Sequence, residues 1–110
     1  MKSPVVFSPK SRQDLLDIGD YIAKDSLANA RRFVAKLIEQ CQRIGASPMG
    51  YVGREDLAPG LRMAALGRYV IFFRLLDGTV RIERVLHGSR NLPVVLERES
   101  TRVGDETPSP

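Results

Sequence analysis

Asp77-Gly78 stands between two segments of alternating apolar residues, and no other pair constrains the fold of this chain as strongly. A two-residue hairpin turn of type I′ needs positive φ at both central positions, which Asp-Gly supplies. Upstream, Gly67-Arg68 suits a type II′ turn, with glycine first. Together the two turns predict a three-stranded antiparallel meander over about 61–66, 69–76 and 79–87. Counting outward from Asp77-Gly78 sets Leu75 opposite Val80, Phe73 opposite Ile82, Ile71 opposite Arg84 and Tyr69 opposite Leu86. Side chains alternate with a period of two, so those residues share one face, apolar except for Arg84. The other face then carries Val70, Phe72, Arg74, Arg81, Glu83, Val85 and His87. The apolar face is expected to pack on helices, leaving the half-polar, arginine-bearing face for function.

The segments before the meander supply the helices. Pro4 to Ser8 reads as a short strand, after which Ser8 fits an N-cap and Pro9 the first helical position. Leu15, Ile18 and Ile22 then form a stripe, with Leu16 and Tyr21 beside it and Asp14, Asp17 and Asp20 opposite, predicting a helix over about 9–24. Gly19 within it implies a close helix crossing. Asp25 or Ser26 caps a second helix over about 26–45, whose stripe runs Ala30, Phe33, Val34, Leu37, Ile38, Cys41 and Ile44. Gly45 fits the C′ position, and Pro48 prevents continuation. Residues 47–60 form a Gly- and Pro-rich loop into the meander. The expected fold is therefore α+β, of order β-α-α-β-β-β, with a two-helix hairpin packed on one face of the antiparallel meander.

At 110 residues the chain makes one domain with a modest core, and 43% hydrophobic and 27% charged residues suit a soluble globular protein. Residues 1–96 form that domain. Residues 97–110 are polar, end in TPSP and read as a disordered tail. Leu92 to Leu96 adds a short strand or a helical turn. No apolar run approaches the ~20 residues that span a bilayer. A single cysteine, Cys41, excludes an internal disulfide and leaves no zinc-ligand set; on the buried stripe it reads as inert packing. With no signal peptide in evidence, the expected location is the cytoplasm.

Net charge is +4, and every cation after Lys36 is an arginine. Arginine binds carboxylate or phosphate bidentately, so an acidic protein or a nucleic acid fits the charge equally well. Arg74 and Arg81 face each other across strands, a like-charge pair that an acidic partner would relieve. Arg81 and Glu83 share a face and can pair there. Arg84, among apolar residues, must reach a carboxylate such as a helix aspartate or escape to the sheet edge. His87, Gly88 and Arg90 cluster past the last strand. His87 reads either as a general base beside a phosphate-binding Arg90 or as a hydrogen-bonded strand-end residue beside a partner-facing cation. Walker, HExxH, CxxC and GxSxG motifs do not occur, so no cofactor or metal is expected.

Several stretches in order resemble a known family. Val6-Phe7-Ser8-Pro9 with DLLDIGDYIA, the NARRF helix, GLRMAALGRYVIFFR and IERVLHGSRN look like the ParE branch of the RelE/ParE toxin superfamily, over about residues 4–96. The resemblance implies a bacterial type II toxin held inactive by a ParD-like antitoxin, whose C-terminal segment wraps the toxin while its N-terminal half dimerises and binds operator DNA. ParE-type toxins are associated with DNA gyrase and RelE-type relatives with mRNA cleavage in the ribosome. RelE-type cleavage uses basic side chains on the sheet with a tyrosine near the C-terminus. This chain has no tyrosine after Tyr69 and no lysine after Lys36. A nuclease reading would rest on His87 with Arg81 and Arg90, and arginine, always protonated, is a poor general base. The residues favour a non-catalytic inhibitor that contacts antitoxin or target through Arg62, Arg74, Arg81, His87 and Arg90. No membrane contact is expected, nor sequence-specific nucleic-acid binding by the toxin alone.

Overall fold

A computed structural model of the chain describes residues 2–89. Strand β1 (Val5–Phe7) leads into helix α1 (Pro9–Ala23), then α2 (Leu27–Ala46) and a 3₁₀ turn at Pro48–Gly50. Strands β2 (Val52–Gly53), β3 (Arg62–Leu66), β4 (Tyr69–Leu76) and β5 (Thr79–His87) follow. The meander and both helices lie within a residue or so of the expected bounds. Residues 90–110, including Arg90, the 92–96 segment and the polar tail, lie outside the described residues.

Local chemistry accounts for the boundaries. The Ser8 hydroxyl caps α1 by accepting from the Ser11 N–H at 3.0 Å, with Pro9 next in line. Ser26, rather than Asp25, caps α2 by accepting from the Asn29 N–H at 3.1 Å. Asp77 and Gly78 have φ of 51° and 78°, as the type I′ turn demands, and Gly67 has φ of 59°. A Cβ on Gly19 would sit 3.4 Å from Val34 Cγ2, so the glycine lets α1 and α2 close. Gly45 departs from expectation. It lies inside α2, buried, rather than at C′, and the N-terminal segment runs over it: the Ser3 N–H donates to the Gly45 carbonyl at 2.7 Å.

The sheet has five strands in the order β1-β5-β4-β3-β2, with β1 parallel to β5 and the other pairs antiparallel. It is thus mixed, extending the expected meander at both edges. Ile18 of α1 and Leu37, Cys41 and Ile44 of α2 pack on Ala64, Ile71, Phe73, Val80, Ile82 and Val85 of the sheet, the main core. A smaller cluster on the opposite face joins Ala58 and Leu61 of the 54–61 loop to Phe72 and Leu86. The face expected to lie open is therefore covered at one end. Bidentate pairing of Arg54 with Asp56 at 3.0 and 2.8 Å, and a Gly60 N–H to Glu55 bond at 2.8 Å, fold that loop on itself.

A β-bulge changes the register. Phe73 pairs with Ile82 as expected, but Phe72 pairs with Arg84, so Glu83 is an extra residue in β5. Beyond it Ile71 faces Val85, Val70 faces Leu86 and Tyr69 faces His87. Val85 and His87 consequently move to the helix side and Leu86 to the far side, reversing the expected assignment. Asp14, expected on the solvent side of α1, is the reason the bulge is tolerated. Strand β1 ends at Phe7, leaving the second half of β5 without a neighbour on that side. The Asp14 carboxylate takes its place, accepting from the Val85 N–H at 2.9 Å and from Arg84 Nε and Nη2 at 2.8 and 2.9 Å. Arg84 thus finds a helix aspartate, one of its two expected outcomes.

Candidate functional site

The sites of interest divide among three surfaces. On the far face of the sheet, Arg74 and Arg81 stand directly opposite in the β4–β5 register. Glu83, two residues along β5 from Arg81 and on the same face, lies between them, with one carboxylate oxygen 3.2 Å from Arg81 Nε and the other 3.2 Å from Arg74 Nη1. Arg74 Nε also donates to the Pro59 carbonyl at 3.0 Å, tying the arginine to the 54–61 loop. Two guanidiniums on one carboxylate leave an excess positive charge in a half-exposed setting.

At the end of the sheet on the helix side lies an open cleft of about 620 Å³, lined by Tyr21, Phe33, Arg68, Tyr69, His87 and Ser89 among others. Phe33, Tyr69 and His87 form a run of ring contacts with centroids 5.4 and 5.2 Å apart. The Ser89 backbone N–H donates to His87 Nδ1 at 3.1 Å, and the Ser89 hydroxyl lies 2.7 Å from the same nitrogen. A backbone N–H can only donate, so Nδ1 is the acceptor and the neutral ring carries its proton on Nε2. The nitrogen able to accept a proton is therefore already engaged, and the nitrogen left over is a donor.

The third surface was not anticipated as a site. On the outer side of the helical hairpin an apolar groove of about 750 Å³ runs between α1 and α2. Leu16, Leu27 and Ile38 line it and are exposed; Arg12 and Arg31 stand at it with Asp20. The sequence signal was present in the width of the apolar arcs: Leu16 beside Leu15, and Val34 and Ile38 beside Phe33 and Leu37, exceed what one buried stripe needs.

The predicted residues do not form one patch. Arg74 and Arg81 lie together. Arg62 pairs with Phe73, on the helix side of the sheet, and its Nη1 donates to the Tyr51 carbonyl at 2.7 Å. His87 is on the helix side as well, the consequence of the bulge. Cys41 is fully buried, which pushes its thiol up to about 12 and keeps it protonated and inert near neutral pH. Among the described residues no group of His, Cys, Asp or Glu is placed to hold a metal, and no helix is long and apolar enough to cross a membrane.

A family model, the ParE toxin of the parDE type II toxin-antitoxin system, matches residues 5–92, most of the chain. The protein belongs to the ParE toxin family. Among solved structures, this ParE family member is similar to a chain of the chromosomal ParDE toxin-antitoxin system from P. aeruginosa. That match has 22% identity and a TM-score of 0.69, covering 78% of this chain and 96% of the other. It is also similar to a chain of the RelBE2 toxin-antitoxin complex from Mycobacterium tuberculosis, with 26% identity and a TM-score of 0.61, covering 79% and 99%. No curated protein sequence matches it. The two helices and five-stranded mixed sheet are the fold of ParE and RelE toxins.

Proposed function

We propose that this ParE-family toxin is a binding inhibitor rather than a nuclease, acting on DNA gyrase and neutralised by a ParD-like antitoxin. The observation that carries the non-catalytic reading is the state of His87. It is the only histidine in the chain, and its acceptor nitrogen is bonded to the Ser89 N–H. A general base must bring a free lone pair within reach of the proton it removes. Gyrase as target follows from the family; the likeness to a RelBE2 chain is what favours the alternative, a RelE-like endonuclease.

For the antitoxin, the α1–α2 groove suits an apolar helical segment, with carboxylates placed toward Arg12 and Arg31. The Arg74–Arg81 pair offers a second contact for an acidic segment, on the opposite side of the molecule.

Purified toxin tested for inhibition of gyrase supercoiling, alongside ribosome-dependent mRNA cleavage, separates the two readings. His87→Gln keeps a hydrogen-bonding side chain and removes the imidazole. An enzyme relying on His87 loses about 10²–10⁴-fold in rate on that change; a binder retains toxicity. Abolished toxicity in a folded His87→Gln variant, together with mRNA cleavage by the parent, would reverse the assignment.

A further inference from the structure

We propose that Glu83 is an internal competitor for the acidic partner of the Arg74–Arg81 pair: its carboxylate occupies the site that a partner's carboxylate takes on docking. This rests on reading that pair as a partner-facing surface, and it adds how the surface discriminates.

The β4–β5 register and the alternation of side chains along β5 bring the three groups together. Arg74 and Arg81 are fixed opposite each other by the register that Asp77-Gly78 sets, and like charges so placed repel. The next far-face residue along β5 is Glu83, and its two oxygens divide between the arginines, at 3.2 Å each. Both separations are long for charge-assisted bonds, which favour about 2.7–2.9 Å. One carboxylate spans two cations without a close fit to either.

Capacity remains on both arginines. A guanidinium has five N–H donors. Among the described residues Arg81 engages Nε alone, and Arg74 engages Nε with Pro59 and Nη1 with Glu83. The Arg81, Arg74 and Glu83 side chains are 42%, 28% and 19% exposed, so the cations are reachable while the carboxylate sits beneath them.

A carboxylate is the group the two guanidiniums already hold, and the partner proposed for them is a carboxylate as well. Exposed apolar side chains on the same face extend it into a peptide-sized surface. Val6 of β1 is the register partner of Arg81, and Leu76 is two residues beyond Arg74 on β4; both are exposed. An extended segment whose sheet-facing residues, at every second position, include both acidic and apolar side chains matches that surface.

An internal carboxylate has two effects. It relieves the repulsion in the free toxin, and its negative charge between the two arginines lowers the affinity for any isolated anion, which must share or take over the same guanidiniums. A partner that brings several carboxylates with apolar neighbours still binds, while small anions do not.

The test uses the full chain, an octaglutamate peptide as probe and inorganic phosphate as a second arm, read by the Nε–H resonances of each arginine. Octaglutamate is expected to shift Arg74 and Arg81, and Arg81→Gln to weaken that binding. Glu83→Gln and Glu83→Thr, checked for folding by the same spectra, are each expected to tighten it about 3- to 30-fold. Unchanged or weaker affinity in both folded Glu83 variants, with the shifts still at Arg74 and Arg81, overturns the competitor role and leaves the surface standing. Shifts confined to other arginines overturn the surface itself. Phosphate binding as tight as octaglutamate at the same two residues overturns the choice of carboxylate.

Discussion

Replacing Asp14 by alanine removes three hydrogen bonds at once, two from Arg84 and one from the Val85 N–H. The Arg84 and Asp14 side chains are only 14% and 10% exposed, so water cannot freely replace the lost partner. Breaking a buried pair by removing one member costs about 3–5 kcal/mol. An orphaned buried N–H alone costs about 1–3 kcal/mol. These overlap, and since the pair keeps some exposure a total of about 3–4 kcal/mol is expected. That is a large part of the ~5–15 kcal/mol typical of a domain. Urea denaturation of parent and variant measures the loss, with an unchanged m-value confirming that the folded state is comparable. Asp14→Asn, which keeps one acceptor for Val85, is expected to lose less. Adding Arg84→Met to Asp14→Ala removes the other charge of the pair and is expected to recover part of the deficit. A loss under about 1 kcal/mol for Asp14→Ala would refute the reasoning, placing the pair among surface ion pairs of little worth.

Leu37→Ala and Ile71→Ala, at fully buried positions between helices and sheet, are expected to cost about 2–5 kcal/mol by denaturation, and half-buried Phe33→Ala the lower end of that range. Gly45→Ala places a Cβ 2.5 Å from Val5 Cγ2 and 2.8 Å from the Ser3 carbonyl oxygen; lost amide protection in β1, with α2 intact, is the expected exchange result. For Cys41, the native state keeps a proton to about 12 that the unfolded chain releases near 9.0. The unfolded state binds fewer protons in that window, so stability falls as pH rises through it, by about 4 kcal/mol over the three units. The advantage of the parent over Cys41→Ala should therefore shrink by about 3 kcal/mol between pH 8 and pH 11. Leu16→Glu or Ile38→Glu, exposed in the α1–α2 groove, should weaken antitoxin binding in calorimetry by at least about tenfold without unfolding the toxin.

Turn chemistry and periodicity were enough to read the helical hairpin and the meander, because Asp77-Gly78 and the α2 stripe admit few alternatives. Strand β2 was not legible: two residues cannot display alternation. Nor did the pattern say which neighbour β1 would choose. The bulge at Glu83 was hidden for a different reason. Without it Arg84 alone breaks the apolar face, and with it Val85 takes an apolar place, so hydrophobicity fits both registers. What decides is Asp14, seventy residues away in sequence, which supplies the acceptor for Val85 and the partner for Arg84. The charges were assigned correctly where register alone governed them, as for Arg74 opposite Arg81. They were misassigned where a backbone irregularity intervened, as for His87. Arg62 was grouped with the far-face arginines by its charge, although counting outward from Gly67-Arg68 sets it opposite Phe73 on the helix side. The α1–α2 groove was overlooked because both of its walls read as surplus core.

The parallel pairing of β1 with β5 joins Val5 to Val80, and the hydroxyl that caps α1 also donates to the Glu83 carbonyl. The first strand of the chain therefore waits for the last. During synthesis the helical hairpin can form early from local contacts, but the sheet edge it packs beside does not exist until β5 has emerged. Folding of so non-local a pairing is limited by closure of the long intervening chain. An incomplete chain thus has helices without their platform, with the apolar stripes of α1 and α2 uncovered. The same order means that no fragment short of β5 presents the Arg74–Arg81 face or the His87 cleft.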